Sequence, residues 1–183
     1  KIFNQIKAKG YKVIGLTACG TGSFGVIRSV EQWRIDELKS IGITFDKSYI
    51  DAKAGALDPY ISGISEHYSK AKHISFPAAK DGILFTAHVP KGDILGAYLR
   101  FAKLQPKKVI FIDDQLKNLK SVQEYCQKSG IEFVGYEYTV IEMQAKHLKL
   151  NKRRAKLQYK VLELTKTWLN DAQADIILTR IDE

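Results

Sequence analysis

The feature that most constrains the fold is the alternation of short β-rich runs with longer helical patterns. The runs "YKVIGLTA", "GILFTA", "KKVIFIDD" and "IEFVGYEYT" are rich in apolar, β-branched and aromatic residues, and segments of helical periodicity separate them. Strands that alternate with helices in this way predict a parallel sheet covered by helices. The sequence therefore predicts an α/β fold, and 183 residues suffice for a substantial hydrophobic core.

Two regions depart from the alternation. Residues 45–80 contain Gly, Ser, Pro and isolated aromatic residues, which predicts a long, cap-like excursion with one short helix. Residues 140–183 have a mostly helical pattern. We expect a core formed by residues 1–139 and a helical C-terminal extension that packs on it.

The net charge of +9 raises the question of a nucleic-acid partner. Many of the basic residues crowd the segment 146–160, whose apolar residues recur at helical spacing. This pattern predicts an amphipathic helix with a solvated basic face, and contact with an anionic partner is the alternative. Because basic and aromatic residues do not interleave, we do not expect nucleic acid to bind. The basic residues of this segment are Lys146, Lys149, Lys152, Arg153, Arg154, Lys156 and Lys160.

The sequence leaves the cellular compartment open. No apolar run approaches the roughly 20 residues of a membrane span, so none is expected. The chain opens on Lys1 in what reads as a helix already under way, so we expect a fragment whose native N-terminus is missing. A cytoplasmic and an exported protein are both compatible with these observations.

Polar residues follow three of the predicted strands. They are Thr17 after "VIGL", Lys91 at the start of a helix after "GILFTAHVP", and the pair Asp113 and Asp114 after "VIFI". Ligands of open α/β sheets bind beyond the carboxyl ends of the strands. Two adjacent carboxylates repel each other unless a cation lies between them, and Mg²⁺ accepts such ligands. In the alternative interpretation, one Asp caps the next helix and the other is solvated.

The succession "VIGLTA", "PKGDIL" and "VIFIDD" resembles the second, third and fourth motifs of the haloacid dehalogenase-like (HAD) superfamily. The details look most similar to a poorly characterised bacterial, phosphatase-like branch. The resemblance implies a Rossmann-like three-layer sandwich with a mainly parallel sheet. It also implies a magnesium-dependent phosphohydrolase that acts on a phosphorylated small molecule.

The resemblance assigns a role to each matching residue. Thr17 would hydrogen-bond the phosphoryl group, and Lys91 would offset charge on that group and on the nucleophile. Asp113 would bind Mg²⁺ directly, and Asp114 would support the metal through water. Asn118, one helical turn further on, is a weaker candidate for positioning the ligands and waters around the metal.

The first motif of the superfamily is absent from these residues. Its D-x-D strand carries the aspartate nucleophile, and no D-x-D occurs in the sequence. We expect this strand to lie upstream of Lys1, so that residues 1–183 alone are inactive while the parent protein is a phosphatase. The alternative is a noncatalytic domain that binds phosphate or a partner.

A different function is suggested by Gly20, Gly22 and Gly25, which spell G-x-G-x-x-G between a strand and a helix. Such glycines cradle the pyrophosphate of a dinucleotide, and Asp46 follows at the spacing of a ribose-binding acid. However, Ala18 and Cys19 separate the first glycine from the strand end. We therefore interpret the glycines as a flexible turn after Thr17, with a dinucleotide-binding module as the alternative.

Overall fold

The computed structural model describes residues 2–45, 49–61, 75–140 and 150–182. The chain divides into two compact units, one formed by residues 1–23 and 29–138 and the other by residues 24–28 and 139–183. The first unit contains helices α1 (Ile2–Ala8), α2 (Val30–Ser40), α3 (Lys91–Phe101) and α4 (Leu116–Lys128), with a short 3₁₀ helix at Asp58–Tyr60. Its strands are β1 (Gly15–Thr17), β2 (Ala78–Lys80), β3 (Ile83–Phe85), β4 (Lys108–Asp113) and β5 (Glu132–Glu137).

The described strands form two sheets. One has the order β1-β3-β2, in which β1 and β3 run parallel and β2 and β3 antiparallel, and the other pairs β4 with β5 in parallel. The α/β class predicted from the sequence is confirmed, whereas a single continuous sheet is not observed among these strands. Strand β2 was not predicted and lies in the excursion 45–80, of which residues 46–48 and 62–74 lie outside the described part of the chain.

Two parallel strands have an open edge. Within the described residues, β1 pairs only with β3, and β4 pairs only with β5. The carbonyls of Lys107 and Asp113 accept hydrogen bonds from Glu132 and Tyr138. Because backbone groups of a strand alternate between its two edges, those of Lys108, Ile110 and Ile112 point away from β5. The other edge of β4 therefore has no partner strand among the described residues.

The main core is centred on α3. Ile94, Ala97 and Tyr98 of this helix are almost completely buried. Leu84 of β3 and Val122 of α4 belong to the same cluster. Leu16 of β1 and Phe111 of β4 also pack against it, so both open-edged strands share one core. A smaller cluster joins Ile35 of α2 to Ile83 and Phe85 on the opposite face of β3.

Helices α3 and α4 pack closely because α3 carries Gly92 and Gly96 one turn apart. A Cβ atom at Gly92 would lie 2.1 Å from the carbonyl oxygen of Ser121, and one at Gly96 would lie 2.3 Å from the Tyr125 ring. The Gly92 amide donates to Ser121 Oγ at 2.9 Å. The small residues therefore fix the first turn of α3 against α4.

The second unit contains helices α5 (Lys152–Thr165) and α6 (Asp171–Asp182). Asn151 caps α5 by accepting from the amides of Arg153 and Arg154. The Arg154 guanidinium bridges to Asp171 and Asp175 of α6. The helical extension predicted over 140–183 is thus helical over these two segments, and residues 141–149 lie outside the described ranges. In the described residues, no helix is both long and apolar enough to cross a membrane.

Candidate functional site

A buried ion pair forms the centre of the candidate site. Lys91 Nζ lies 2.6 Å from Asp113 Oδ2, and the two side chains are only 10% and 5% exposed. Lys91 is the first residue of α3, and Asp113 is the last residue of β4. The pair therefore joins two successive βα units at the carboxyl end of a parallel strand, where α/β proteins bind ligands.

The second oxygen of Asp113 is also engaged. Oδ1 accepts from the Gln115 amide at 2.9 Å and from Asn118 Nδ2 at 2.8 Å. Burial by itself raises the pKa of Asp113, but hydrogen bonds from Lys91, Asn118 and the Gln115 amide outweigh it, so the pKa lies below its ordinary value. Asp113 is therefore held as a carboxylate.

Local structure explains this arrangement. The apolar run Val109–Ile112 forms the body of β4, and the strand ends at the first carboxylate. Helix α4 begins at Leu116, and its N-cap residue Gln115 makes no side-chain capping bond. The Asp113 carboxylate instead accepts a hydrogen bond from the Gln115 amide. Asn118, in the first turn of the helix, donates its side-chain amide to the same carboxylate oxygen. The Lys91 ammonium also lies 5.6 Å from the centroid of the Phe111 ring.

The structure brings together three of the five predicted site residues by direct contact: Lys91, Asp113 and Asn118. Thr17 ends β1, and its Oγ1 accepts from the Cys19 amide at 3.2 Å. Its link to the ion pair is indirect, because the neighbouring Ala18 lines the groove that Lys91 also lines. Asp114 is partly buried and follows the strand directly.

The groove has a volume of about 960 Å³ and extends along α3 and α4, from Lys91 and Lys117 in their first turns to Arg100 and Lys128 in their last turns. Its charged lining is mainly basic. Five lining residues are cationic, namely Lys91, Arg100, Lys117, Lys120 and Lys128, and two are acidic, Asp93 and Glu124. Burial raises the pKa of Asp93, further assisted by Glu124 and opposed by Lys128 and Arg100. The groove therefore favours an anionic ligand.

The donor chemistry at Asp113 and Asp114 fits a magnesium ion in part. Mg²⁺ is typically bound by one or two carboxylates, with waters and substrate phosphate oxygens completing its shell. Two adjacent carboxylates meet that requirement, although Asp113 already contacts Lys91. Over the ranges that the structure describes, no group of three or more His, Cys, Asp or Glu side chains could hold a metal ion. A magnesium ion here would need ligands from a substrate or from water.

The glycine turn does not favour a dinucleotide. The Gly22 amide donates to the carboxylate of Glu31 at 2.9 Å, and the Gly22 carbonyl accepts from Val30. A carboxylate thus occupies the position at which a pyrophosphate would need a donor, near the start of α2. Asp46, the expected ribose-binding acid, lies outside the described residues.

Two contributors to the site were not predicted from the sequence. The Gln115 amide donates to Asp113, and Thr86 lines the groove immediately after β3. Backbone donors carry no sequence signal. Thr86 does have one, because a Thr that ends an apolar run takes the same position in "GILFTA" as Thr17 takes in "VIGLTA".

Comparisons with known proteins give relatives without an assigned chemistry. An uncharacterised protein of Rickettsia prowazekii is 24% identical over 179 residues, which cover 98% of this chain and 60% of the relative. A Chlamydia pneumoniae protein named as a "Putative outer membrane protein" is 37% identical over 62 residues, 34% of this chain and 24% of the relative. A Chlamydia trachomatis protein of the same name is 29% identical over 105 residues, 57% of this chain and 33% of the relative.

The chain spans less than two thirds of the length of these relatives. No solved structure matches the chain. The family described as a protein of unknown function (DUF2608) matches residues 1–175, and the chain therefore belongs to that family.

Proposed function

We propose that the full-length protein is a magnesium-dependent phosphohydrolase that acts on a phosphorylated small molecule. The observation that carries this proposal is the buried Lys91–Asp113–Asn118 cluster at the carboxyl end of β4. It lies beside a basic groove that begins at the N-terminus of α3. An ammonium group, a carboxylate held ionised and a helix N-terminus are the groups that phosphoryl transfer needs around the phosphate.

Each residue has a role in this proposal. Lys91 offsets negative charge on the phosphoryl oxygens, and Thr17 donates its hydroxyl to one of them. Asp113 and Asp114 would hold Mg²⁺, and Asn118 keeps the Asp113 carboxylate oriented through the 2.8 Å hydrogen bond. A magnesium ion bound there would supply Lewis-acid chemistry at the phosphoryl group. When the anion binds, the Lys91 ammonium contacts both the anion and the Asp113 carboxylate.

The nucleophilic carboxylate comes, in this proposal, from a strand outside residues 1–183. Among the described strands, β1 pairs only with β3 and β4 only with β5, and both pack on the core around α3. A parallel strand between them would satisfy both edges and complete a Rossmann-like three-layer sandwich. Its carboxyl end would then lie at the same edge of the sheet as Thr17 and Asp113, which is where an aspartate nucleophile must stand.

Hydrolysis of p-nitrophenyl phosphate by the full-length protein tests the proposal. We expect turnover that requires Mg²⁺ and that falls by at least about a hundredfold in Asp113→Asn and in Lys91→Met, because both groups act on transition-state charge. Lys108→Met is the matched control, since Lys108 forms an exposed pair with Glu132. If folded full-length protein neither hydrolyses a panel of phosphomonoesters nor binds phosphate with Mg²⁺, the proposal is wrong.

A noncatalytic phosphate-binding domain is the second candidate. It is favoured by the fact that both oxygens of Asp113 already accept hydrogen bonds from protein donors. Such a carboxylate can serve as the fixed counter-ion of Lys91 without a metal. This function predicts that phosphate binds with the same affinity in Mg²⁺ and in EDTA, and that the full-length protein shows no turnover.

A further inference from the structure

One polar side-chain atom in the core, Thr86 Oγ1, has no hydrogen-bond partner among the described residues. Thr86 is 0% exposed, and within the described residues its Oγ1 is a buried side-chain atom without a hydrogen-bond partner. The backbone of Thr86 is occupied, because its amide donates to the Thr17 carbonyl and its carbonyl accepts from Val89. An unpaired buried hydroxyl costs about 1–3 kcal/mol, so its presence requires an explanation.

The side chain of Thr86 follows β3 on the strand face that packs toward α3. Successive side chains of a strand alternate between its two faces. Ile83 and Phe85 belong to the cluster with Ile35, whereas Leu84 belongs to the cluster around α3. Thr86 is two residues after Leu84, so its side chain lies on the same face as that of Leu84. It lines the groove together with Lys91 and Asn118.

The surroundings of Thr86 favour an anion. Helix α3 spans 11 residues, and its N-cap residue Pro90 provides no side-chain capping bond. The Gly92 amide of its first turn donates to Ser121 Oγ of α4, and the positive end of the helix lies at the groove that Lys91 lines. Five cationic side chains line the same groove against two acidic ones, with Lys91 at the start of α3 and Arg100 and Lys128 in the last turns of α3 and α4. A hydroxyl in this setting acts as a donor to a negatively charged oxygen.

The turn that holds Thr86 is strained. Ala87 and His88, the next two residues, have φ angles of 48° and 68°. Residues with a Cβ atom rarely adopt this left-handed region, at a cost of about 1–3 kcal/mol each. The Ala87 amide donates to the Cys19 carbonyl at 3.2 Å, which ties the turn to the segment after β1. The turn thus keeps Thr86 between the end of β1 and the start of α3.

We propose that Thr86 Oγ1 is a phosphate-binding hydroxyl that donates to a phosphoryl oxygen held at the N-terminus of α3. This inference rests on the proposed function, and it adds a binding residue which neither the sequence motifs nor the family description assigns. The bound anion would satisfy the hydroxyl that the protein leaves unpaired. Thr86 therefore matters for ligand affinity and not for the stability of the free protein.

The test compares Thr86→Val with Thr86→Ser in the full-length protein. Val keeps the shape of Thr and removes the hydroxyl, and Ser keeps the hydroxyl. Calorimetric titration with inorganic phosphate in Mg²⁺ should show binding weakened about tenfold or more in Thr86→Val and close to the native value in Thr86→Ser. Urea denaturation without phosphate should show Thr86→Val at least as stable as the native protein, because an unsatisfied buried hydroxyl has been removed.

The outcomes separate this inference from the proposed function. If Thr86→Val binds phosphate as the native protein does while Lys91→Met loses binding, the inference is wrong and the proposed function stands. If Thr86→Val is strongly destabilised or fails to fold, the hydroxyl had a partner in the free protein and the inference is again wrong. If the native protein does not bind phosphate at all, the proposed function falls and the inference falls with it.

Discussion

The sharpest prediction concerns removal of the Lys91 charge. Lys91→Met keeps most of the aliphatic stem and leaves Asp113 buried without its cation, since the two side chains are 10% and 5% exposed. Breaking a buried ion pair from one side costs about 3–5 kcal/mol. Because Asp113 Oδ1 keeps its bonds from Gln115 and Asn118, we expect the lower end, about 3 kcal/mol of unfolding free energy.

Urea denaturation at neutral pH measures this loss. With a urea slope of about 1–3 kcal/mol per molar, the midpoint should fall by about 1 M or more. Lys108→Met is the control, because Lys108 Nζ lies 2.7 Å from Glu132 Oε1 while the side chains are 45% and 64% exposed. That pair has nearly the same length, but solvent screening leaves it with no measurable contribution.

The double variant Lys91→Met/Asp113→Asn completes the experiment. Neutralising Asp113 removes the uncompensated charge, so the double variant should recover most of the stability that Lys91→Met loses. If Lys91→Met and Lys108→Met shift the midpoint equally, burial does not govern the strength of this pair. Asp113 would then not depend on Lys91 for its place in the folded protein.

Three further predictions follow from single contacts. Gly92→Ala should lower the unfolding free energy by about 1–3 kcal/mol or more, because its Cβ would lie 2.1 Å from the Ser121 carbonyl oxygen; an unchanged melting temperature would contradict the close helix packing. The pKa of Asp113 is lowered in the folded state, so ionised Asp113 should stabilise the fold fully above the ordinary Asp pKa of about 3.9, and this stabilisation should be lost as the pH falls below it. In acid titrations followed by circular dichroism, the stability of Asp113→Asn should therefore fall less steeply with decreasing pH. Burial raises the pKa of the Cys126 thiol, and iodoacetamide should modify the partly exposed Cys19 in the native protein and Cys126 only in urea, as read by intact mass.

Local sequence signals predicted the elements around the site well. The ends of β1 and β4 follow from an apolar run that stops at a polar residue, as in "VIGLT" and "VIFID". The start of α3 at Lys91 follows from Pro90, which restricts the backbone before the helix and offers no amide donor. Each of these signals lies within a few residues of the element that it specifies.

Contacts between residues that are far apart in the sequence were harder to predict from it. The contact of Lys91 with Asp113 joins residues 22 positions apart, whereas the resemblance to the HAD superfamily implied that Lys91 offsets charge on the phosphoryl group and the nucleophile. No local pattern in the sequence distinguishes Gly92 and Gly96, although they set the distance between α3 and α4. Strand β2 escaped prediction because "AAK" contains no β-branched or aromatic residue, and its strand state depends on pairing with β3.

The open edge of β4 has a practical consequence for handling the protein. Ile110 and Ile112 are 52% and 63% exposed, and they lie in the uncharged run "VIFI" of a strand that pairs along one edge only within the described part of the chain. An exposed, apolar edge strand is a template on which a second chain can add its own strand. Preparations of residues 1–183 should therefore self-associate through β4, and light scattering should precede any measurement of binding on that piece.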